Sequence, residues 1–130
     1  MSSESLHEDA GKLGPDVIDQ HRAIVSLMEE LEAVDWYQQR VDAAQDEALR
    51  EILRHNRDEE KEHAAMVLEW IRRHDAGFDV KLREYLFSEG SIVGREAVLE
   101  QQPAGGGASA AAADRTNGTA TSVGSLRGGR

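Results

Sequence analysis

Apolar residues recur with the period of an α-helix over two long stretches of the chain. The first stretch begins at Pro15 and ends at about Asp42, and the second begins after Asp46 and ends at about His74. Proline suits the first position of a helix, and an aspartate just before a helix can accept hydrogen bonds from its first amides. Each helix would be about 28 residues and therefore about 42 Å long. Because only residues 43–45 connect them, the pattern predicts an antiparallel hairpin.

A shorter third helix is predicted after the hairpin. Residues 75–77 are expected to end the second long helix, with Gly77 in the left-handed conformation that follows many helix ends. Asp79 is then expected to cap the third helix. That helix would carry the apolar residues Leu82, Leu86 and Phe87.

The apolar face of each long helix contains residues that ordinarily prefer water. At about 100° per residue, Glu60 and His63 fall at the centre of the apolar face of the second helix, and Glu30 lies on that of the first. The apolar positions are Ala23, Leu27, Leu31, Val34, Tyr37 and Val41 on the first helix, and Leu49, Ile52, Leu53, Val67, Trp70 and Ile71 on the second. A carboxylate in such a stripe is costly to desolvate, so it is usually paired or bound to a metal.

These three polar residues make up half of the ligand set of a di-iron four-helix bundle. In ferritin-like bundles two helices supply one Glu each, and the other two supply a Glu-x-x-His pair each. Glu30 matches the first kind of helix, and Glu60 with His63 matches the second. A dimer about a two-fold axis would therefore hold four carboxylates and two imidazoles, a hard donor set that suits iron or manganese. A buried Glu–His hydrogen-bonded pair in a helical dimer interface stays open as the alternative.

The fold class predicted from these patterns is all-α. It consists of an antiparallel two-helix hairpin plus a short C-terminal helix, dimerising into a ferritin-like four-helix bundle. A second apolar stripe on the first helix also predicts assembly, because a helix that is apolar on two sides has to be covered on both. Ile18, Val25 and Trp36 form this stripe, with Glu29 and Glu32 beside it. These two glutamates are either solvated charges or part of a path for cations.

Composition narrows the classes of function. The 130 residues have a formal net charge of −10 at pH 7, of which the first hundred sum to −12 and the last thirty to +2. An acidic body repels nucleic-acid phosphates and anionic membranes, so we expect neither as a partner. The absence of cysteine excludes disulfides, Fe–S clusters and thiolate metal sites. Since no stretch is apolar enough to span a bilayer and the N-terminus lacks a signal peptide's features, the cytoplasm is expected.

Three segments of the helical region resemble the encapsulated ferritin family. They are SLMEELEAVDWY at residues 26–37, HNRDEEKEH at residues 55–63 and VLEW at residues 67–70, and the resemblance covers about residues 15–95. It implies that the protein is a ferroxidase that oxidises Fe(II) to Fe(III). The residues that it implies as iron ligands, bridging two subunits, are Glu30, Glu60 and His63.

The resemblance also implies surroundings for the iron centre. Glu29, Glu32 and Trp36 would form an outer metal-attraction site, which takes calcium or another divalent cation. Tyr37 would neighbour the iron centre, although a lone tyrosine on an apolar face is more often part of the core. Members of the family form open rings, typically of ten subunits built as five dimers. Such a ring encloses no cavity for mineral, so iron is expected to be stored in a surrounding encapsulin shell in the bacterial cytoplasm.

The two ends of the chain differ from the helical region in composition. Residues 1–14 are polar and without period, which predicts a flexible leader before a helical domain at residues 15–96. Residues 97–120 are expected to be a flexible linker, and residues 121–130 read TSVGSLRGGR. This last segment resembles the peptide that directs cargo into an encapsulin shell, where family members often read LTVGSL. The encapsulin shell protein is therefore an expected partner.

Two other functions stay open at this stage. A non-catalytic helical adaptor would deliver something to a shell without oxidising iron. A di-metal oxygenase or a peroxide-scavenging enzyme would use the same scaffold, although so few aromatic residues leave little room for an organic substrate. A haemerythrin-like oxygen carrier would need more histidines on the core faces than the chain has.

Overall fold

Residues 5–102 are described in a computed structural model of the chain, and in that range the protein has helices and no strand. A 3₁₀ turn at Ala10–Lys12 comes first. The four α-helices are α1 (Pro15–Ala43), α2 (Glu47–His74), α3 (Ala76–Tyr85) and α4 (Gly94–Glu100). The predicted all-α class is therefore confirmed. None of these helices combines the length and apolar content needed to cross a lipid bilayer.

The two long helices begin and end within a residue or two of the predicted positions. Pro15 occupies the first turn of α1, and Asp16 adds a negative charge where the helix dipole is positive. Asp46 caps α2 by accepting a hydrogen bond from the Leu49 amide at 2.9 Å. At the end of α1, the Val41 carbonyl accepts a hydrogen bond of 3.1 Å from the Arg50 side chain of α2. A basic residue at the open end of a helix satisfies a carbonyl that the helix itself leaves without a partner.

The long helices form an antiparallel hairpin, as predicted. Late residues of α1 contact early residues of α2, and Glu30 near the middle of α1 faces Glu60 and His63 near the middle of α2. Val41, Ala64 and Ile71 are the buried apolar residues within residues 5–102. Many other large apolar side chains of the hairpin are 37–58% exposed in the single chain; these are Val17, Ile24, Met28, Leu31, Trp36, Leu49, Ile52 and Met66.

The junction between α2 and α3 differs from the prediction. Asp75, and not Asp79, caps α3, since it accepts a hydrogen bond from the Phe78 amide at 2.9 Å while its own amide closes the last turn of α2. One residue therefore serves both helices. Gly77 lies inside α3 and outside the left-handed region, so its expected role at a helix end is wrong. Asp79 instead bonds Arg72 of α2 and Arg83 of its own helix.

Residues 5–86 belong to one compact unit, and a second unit begins at Phe87. The third helix ends at Tyr85, so Leu86 and Phe87 lie beyond it, contrary to expectation. Phe87 has a φ of 60° and a fully exposed ring. Helix α4 was not predicted, and it covers the first four residues of the expected linker. Residues 103–120 of the expected linker and the terminal peptide at residues 121–130 lie outside the described residues.

Candidate metal centre

Three ligand-type side chains of the hairpin meet where α1 and α2 face each other. Glu30, Glu60 and His63 each offer one donor atom, and these atoms all lie within 4.8 Å of one another. The His63 Nδ1 atom is 3.3 Å from Glu60 Oε2 and 3.7 Å from Glu30 Oε2. The structure therefore brings together the three residues that the helical pattern singled out.

Helix geometry explains how the sequence builds this cluster. Glu60 and His63 are three residues apart on α2, a spacing that places both side chains on one face about a turn apart. Glu30 reaches them from α1 because the antiparallel register sets the middle of that helix opposite. The two carboxylates are about a quarter exposed, at 25% for Glu30 and 23% for Glu60, whereas the His63 side chain is 45% exposed. The cluster thus opens to the surface of the single chain on the histidine side.

The carboxylates perturb each other's protonation. A hydrogen bond to Glu60 raises the pKa of Glu30, and desolvation and the charge of Glu60 raise it further. The same hydrogen bond lowers the pKa of Glu60, which His63 lowers as well. Two carboxyl groups this close favour sharing a proton, because both cannot ionise without repulsion. A cation bound between them would replace that proton and remove the repulsion.

The donor set fits iron. Carboxylate oxygens and an imidazole nitrogen are hard or intermediate ligands that suit Fe(II), Fe(III) and Mn(II). One chain offers three donors on an open face, fewer than the six positions of an octahedral ion. One chain is therefore able to coordinate a metal ion from one side only, and the other side of the ion stays open to further ligands.

The four residues that the family resemblance implies around the iron centre lie apart from this cluster. Glu29 and Glu32 are exposed on α1, and neither joins the group of close donor atoms. Trp36 is 50% exposed one turn further along the same helix. Tyr37 lies two helical turns from Glu30, and the Arg40 guanidinium carbon is 5.3 Å from its ring centroid. The structure of one chain therefore leaves the proposed roles of these four residues as predictions.

A polar link beside the cluster escaped the sequence analysis. The Arg57 side chain is 19% exposed, and it donates to Gln38 Oε1 of α1 at 2.7 Å and to Asp58 Oδ1 at 2.9 Å. Arg57 precedes Glu60 by three residues and so shares its side of α2. That spacing was visible in the sequence, but an arginine outside the apolar sector looks like any solvated charge.

Comparison with known proteins identifies relatives of the chain. The sequence profile of the EncFtn-like family matches residues 5–89. The encapsulated ferritin-like protein of Rhodospirillum rubrum is 54% identical over 128 residues, which are 98% of this chain and 91% of that protein. A ferritin-like protein of Thermotoga maritima is 48% identical over 104 residues, covering 80% of this chain and 88% of that protein. The crystal structure of protein ne0167 from Nitrosomonas europaea is 58% identical and superposes with a TM-score of 0.66, covering 68% of this chain and 97% of that one.

Proposed function

This chain belongs to the EncFtn-like family, and we propose that two copies of it form one ferroxidase centre that oxidises Fe(II) to Fe(III). A ferritin-like, iron-related role follows from the family and from the names of the relatives. The observation that supports the shared ferroxidase centre is the cluster of Glu30, Glu60 and His63. It matches half of a di-iron ligand set on half of a four-helix bundle.

A second copy would complete the centre. A mainly apolar groove lies on the hairpin, and its lining residues are Asp19, Arg22, Ala23, Ser26, Met66, Val67 and Trp70. This groove lies along the same side of the hairpin as the cluster, since Ser26 is one turn from Glu30 and Val67 one turn from His63. Covering the groove with an identical hairpin would bury apolar surface and bring a second set of three ligands to the first. A two-fold axis through the cluster gives this self-complementary arrangement.

The reaction consumes iron as its substrate. Two Fe(II) ions each lose one electron, and O₂ takes up the two electrons with two protons to give H₂O₂. Where H₂O₂ is the oxidant, the two electrons and two protons give two molecules of water. Four carboxylates from the two copies would stabilise the Fe(III) product, because hard anionic oxygens favour the higher charge. The flexible Glu30 and Glu60 side chains would also allow Fe(III) to leave.

The acidic residues of α1 would attract the substrate. Glu29 and Glu32 are exposed next to Glu30, and Glu29 is close enough for its charge to raise the pKa of Glu30. With Trp36 they would form the outer metal-attraction site, where calcium or another divalent cation binds before iron moves inward. The net charge of −10 supports this role, because a negative surface concentrates cations.

We further infer that the protein works as cargo of an encapsulin shell, as a ring of about five dimers. Support comes from the name of the relative in Rhodospirillum rubrum and from the resemblance of residues 121–130 to a targeting peptide. A shell in the bacterial cytoplasm would then store the Fe(III) that the ring produces. Exposed apolar residues on both sides of α1, among them Leu31 and Trp36, support assembly beyond a dimer.

Iron oxidation by single-site variants tests the proposal. The full-length protein is loaded with Fe(II) without oxygen, mixed with oxygen, and followed by the absorbance of Fe(III). Glu60→Ala and His63→Ala should lose nearly all accelerated oxidation while keeping their helical circular dichroism. His55→Ala is the matched control, since His55 lies on the same helix and is 69% exposed beside Glu59. Wild-type oxidation no faster than that of free Fe(II) would leave the adaptor function instead.

A further inference from the structure

We propose that Arg57 and Gln38 hold the two long helices in the register that the metal centre requires, which makes both of them positioning residues. This inference rests on the proposed ferroxidase function. It assigns a role to side chains that are not metal ligands and that the sequence pattern did not single out. Their link lies between the hairpin turn and the metal centre.

The link is oriented at both of its ends. The Arg57 Nη1 atom donates to Gln38 Oε1 at 2.7 Å, while Nε donates to Asp58 at 2.9 Å. The amide nitrogen of Gln38 donates in turn to Asp42 Oδ1 at 3.1 Å. This last bond turns the amide oxygen of Gln38 toward Arg57, so that donor and acceptor meet without rearrangement. The Arg57 side chain as a whole is 19% exposed, so packing restricts the positions that its guanidinium group can take.

Although α1 and α2 contact each other along their length, few of these contacts are directional enough to set the register of the hairpin. Only Val41, Ala64 and Ile71 are buried within residues 5–102, and apolar contact is non-directional. Hydrogen bonds are directional and weaken steeply when the donor and acceptor are misaligned. Outside the metal centre, the bond from Arg57 to Gln38 is the hydrogen bond between two side chains that joins α1 to α2 within residues 5–102, while the Arg50 side chain joins the helices through the Val41 carbonyl at the hairpin turn.

The link between Arg57 and Gln38 lies close enough to the metal centre to affect the distance between its ligands. Arg57 precedes Glu60 by one helical turn, about 4.5 Å along the axis, and Gln38 follows Glu30 by about 12 Å. The Arg50 bond to the Val41 carbonyl acts further away, at the hairpin turn. Sliding α1 against α2 by one residue would move Glu30 by about 1.5 Å relative to His63. Displacements of this size separate a ligand set from its metal ion, since active geometries tolerate only about 0.5 Å.

A double-mutant cycle on metal binding tests the inference. Arg57→Met keeps the apolar stem but removes the donors, and Gln38→Leu removes the acceptor. Co(II), which oxygen oxidises much less readily than Fe(II), is titrated into each full-length protein without oxygen and followed by its visible absorbance. We expect each variant to bind Co(II) about tenfold more weakly, and the double variant to bind no more weakly than either single one. The KM for Fe(II) should rise by the same factor, with kcat at saturating iron changed less than about threefold.

Two further variants separate positioning from general loss of charge or stability. Arg54→Met is the matched control, because Arg54 bonds Glu47 of its own helix at 2.9 Å and makes no hydrogen bond to α1 within residues 5–102. It should change Co(II) binding by less than about twofold. Gln38→Glu keeps an acceptor for Arg57 but loses the bond to Asp42, so it should bind Co(II) more tightly than Gln38→Leu does. If Arg57→Met fails to fold, the contrast between Gln38→Leu and Gln38→Glu decides.

The outcomes distinguish this inference from the function on which it rests. Wild-type protein that binds Co(II) and oxidises Fe(II), with Arg57→Met no weaker than Arg54→Met, would overturn the positioning role alone. Additive losses in the double variant would overturn it as well, because the two residues would then act separately. A wild type that neither binds Co(II) nor oxidises Fe(II) would refute the ferroxidase function and the positioning role together.

Discussion

Glu60→Gln should stabilise the metal-free protein and at the same time abolish its stabilisation by metal. In the metal-free state the carboxylate oxygens of Glu30 and Glu60 lie within 4.8 Å of each other. At that separation two unit charges repel by about 0.9 kcal/mol in water and about 3.5 kcal/mol at an effective dielectric constant of 20. Because both side chains are about a quarter exposed, we expect a gain of about 1–2 kcal/mol when one charge is removed. The glutamine amide can still donate a hydrogen bond to Glu30.

The gain should depend on pH in a direction set by Glu30. Its pKa is raised in the folded protein by the hydrogen bond to Glu60, so the stability that Glu30 contributes to the metal-free wild type is full below its ordinary pKa and is lost as pH rises through the raised value. The advantage of Glu60→Gln should therefore be full above the raised pKa of Glu30 and shrink as pH falls through it. Adding metal reverses the ranking, since a ligand at 100 times its Kd stabilises the wild type by about 2.7 kcal/mol.

Thermal unfolding measures both effects. In chelator at pH 7 the Tm of Glu60→Gln should exceed that of the wild type, by about 4–8 °C for each kcal/mol. Added Zn(II), which undergoes no redox chemistry, should raise the wild-type Tm and leave the variant nearly unchanged. Glu62→Gln, an exposed position on the same helix, is the control for the change in net charge. The reasoning would be refuted if Glu60→Gln were no more stable than Glu62→Gln in chelator, or if it kept the full response to Zn(II).

Three further predictions concern the outer residues, the acid response and the tail. Neutralising Glu29 and Glu32 together should slow Fe(II) oxidation without abolishing it. The effect should shrink at high salt, because the electrostatic attraction of Fe(II) is screened beyond about 10 Å at 0.1 M. A loss of rate that does not depend on salt would point to a structural role. Hydrogen bonds from Arg72 and then Arg73 lower the pKa of Glu69 to about 2, so the stability that Glu69 contributes to the last turns of α2 should be full above about pH 4.5 and lost as pH falls toward 2. Acid titration of tryptophan fluorescence should show this step in the wild type and not in Glu69→Gln. Deleting residues 121–130 should leave oxidation in solution unchanged and abolish loading into a co-expressed encapsulin shell, and equal packaging of the two forms would contradict the targeting role.

The hairpin was predictable because its signals are local. Pro15 and Asp46 mark the starts of α1 and α2 through chemistry that acts within one turn, and the helical period places Glu30, Glu60 and His63 on facing sides. The short connector leaves only an antiparallel arrangement. Fold class and candidate ligands therefore followed from residues that are close in sequence or repeat with one period.

The errors arose where two local signals competed or where a contact joined distant residues. Asp75 and Asp79 both precede helical residues, so either aspartate could have capped α3. Asp79 instead pairs with Arg72 of α2, a contact between two helices that the local sequence does not indicate. The link between Arg57 and Gln38 joins residues 19 apart, and no periodicity reports such a pair. Helix α4 has Val93 before its first residue and no side-chain N-cap, so the usual sequence signal for a helix start is missing; the Gly94 amide donates instead to the Ser91 hydroxyl.

Diffraction from iron-loaded crystals, measured on both sides of the iron absorption edge, tests the shared di-iron centre most directly. We expect two anomalous peaks, a few ångströms apart, at the two-fold axis that relates the two chains. Glu30, Glu60 and His63 of each chain should surround them, and both peaks should be absent from crystals of Glu60→Ala. Iron bound to the three residues of one chain alone, or found only at exposed acidic residues away from them, would contradict a centre built by two copies.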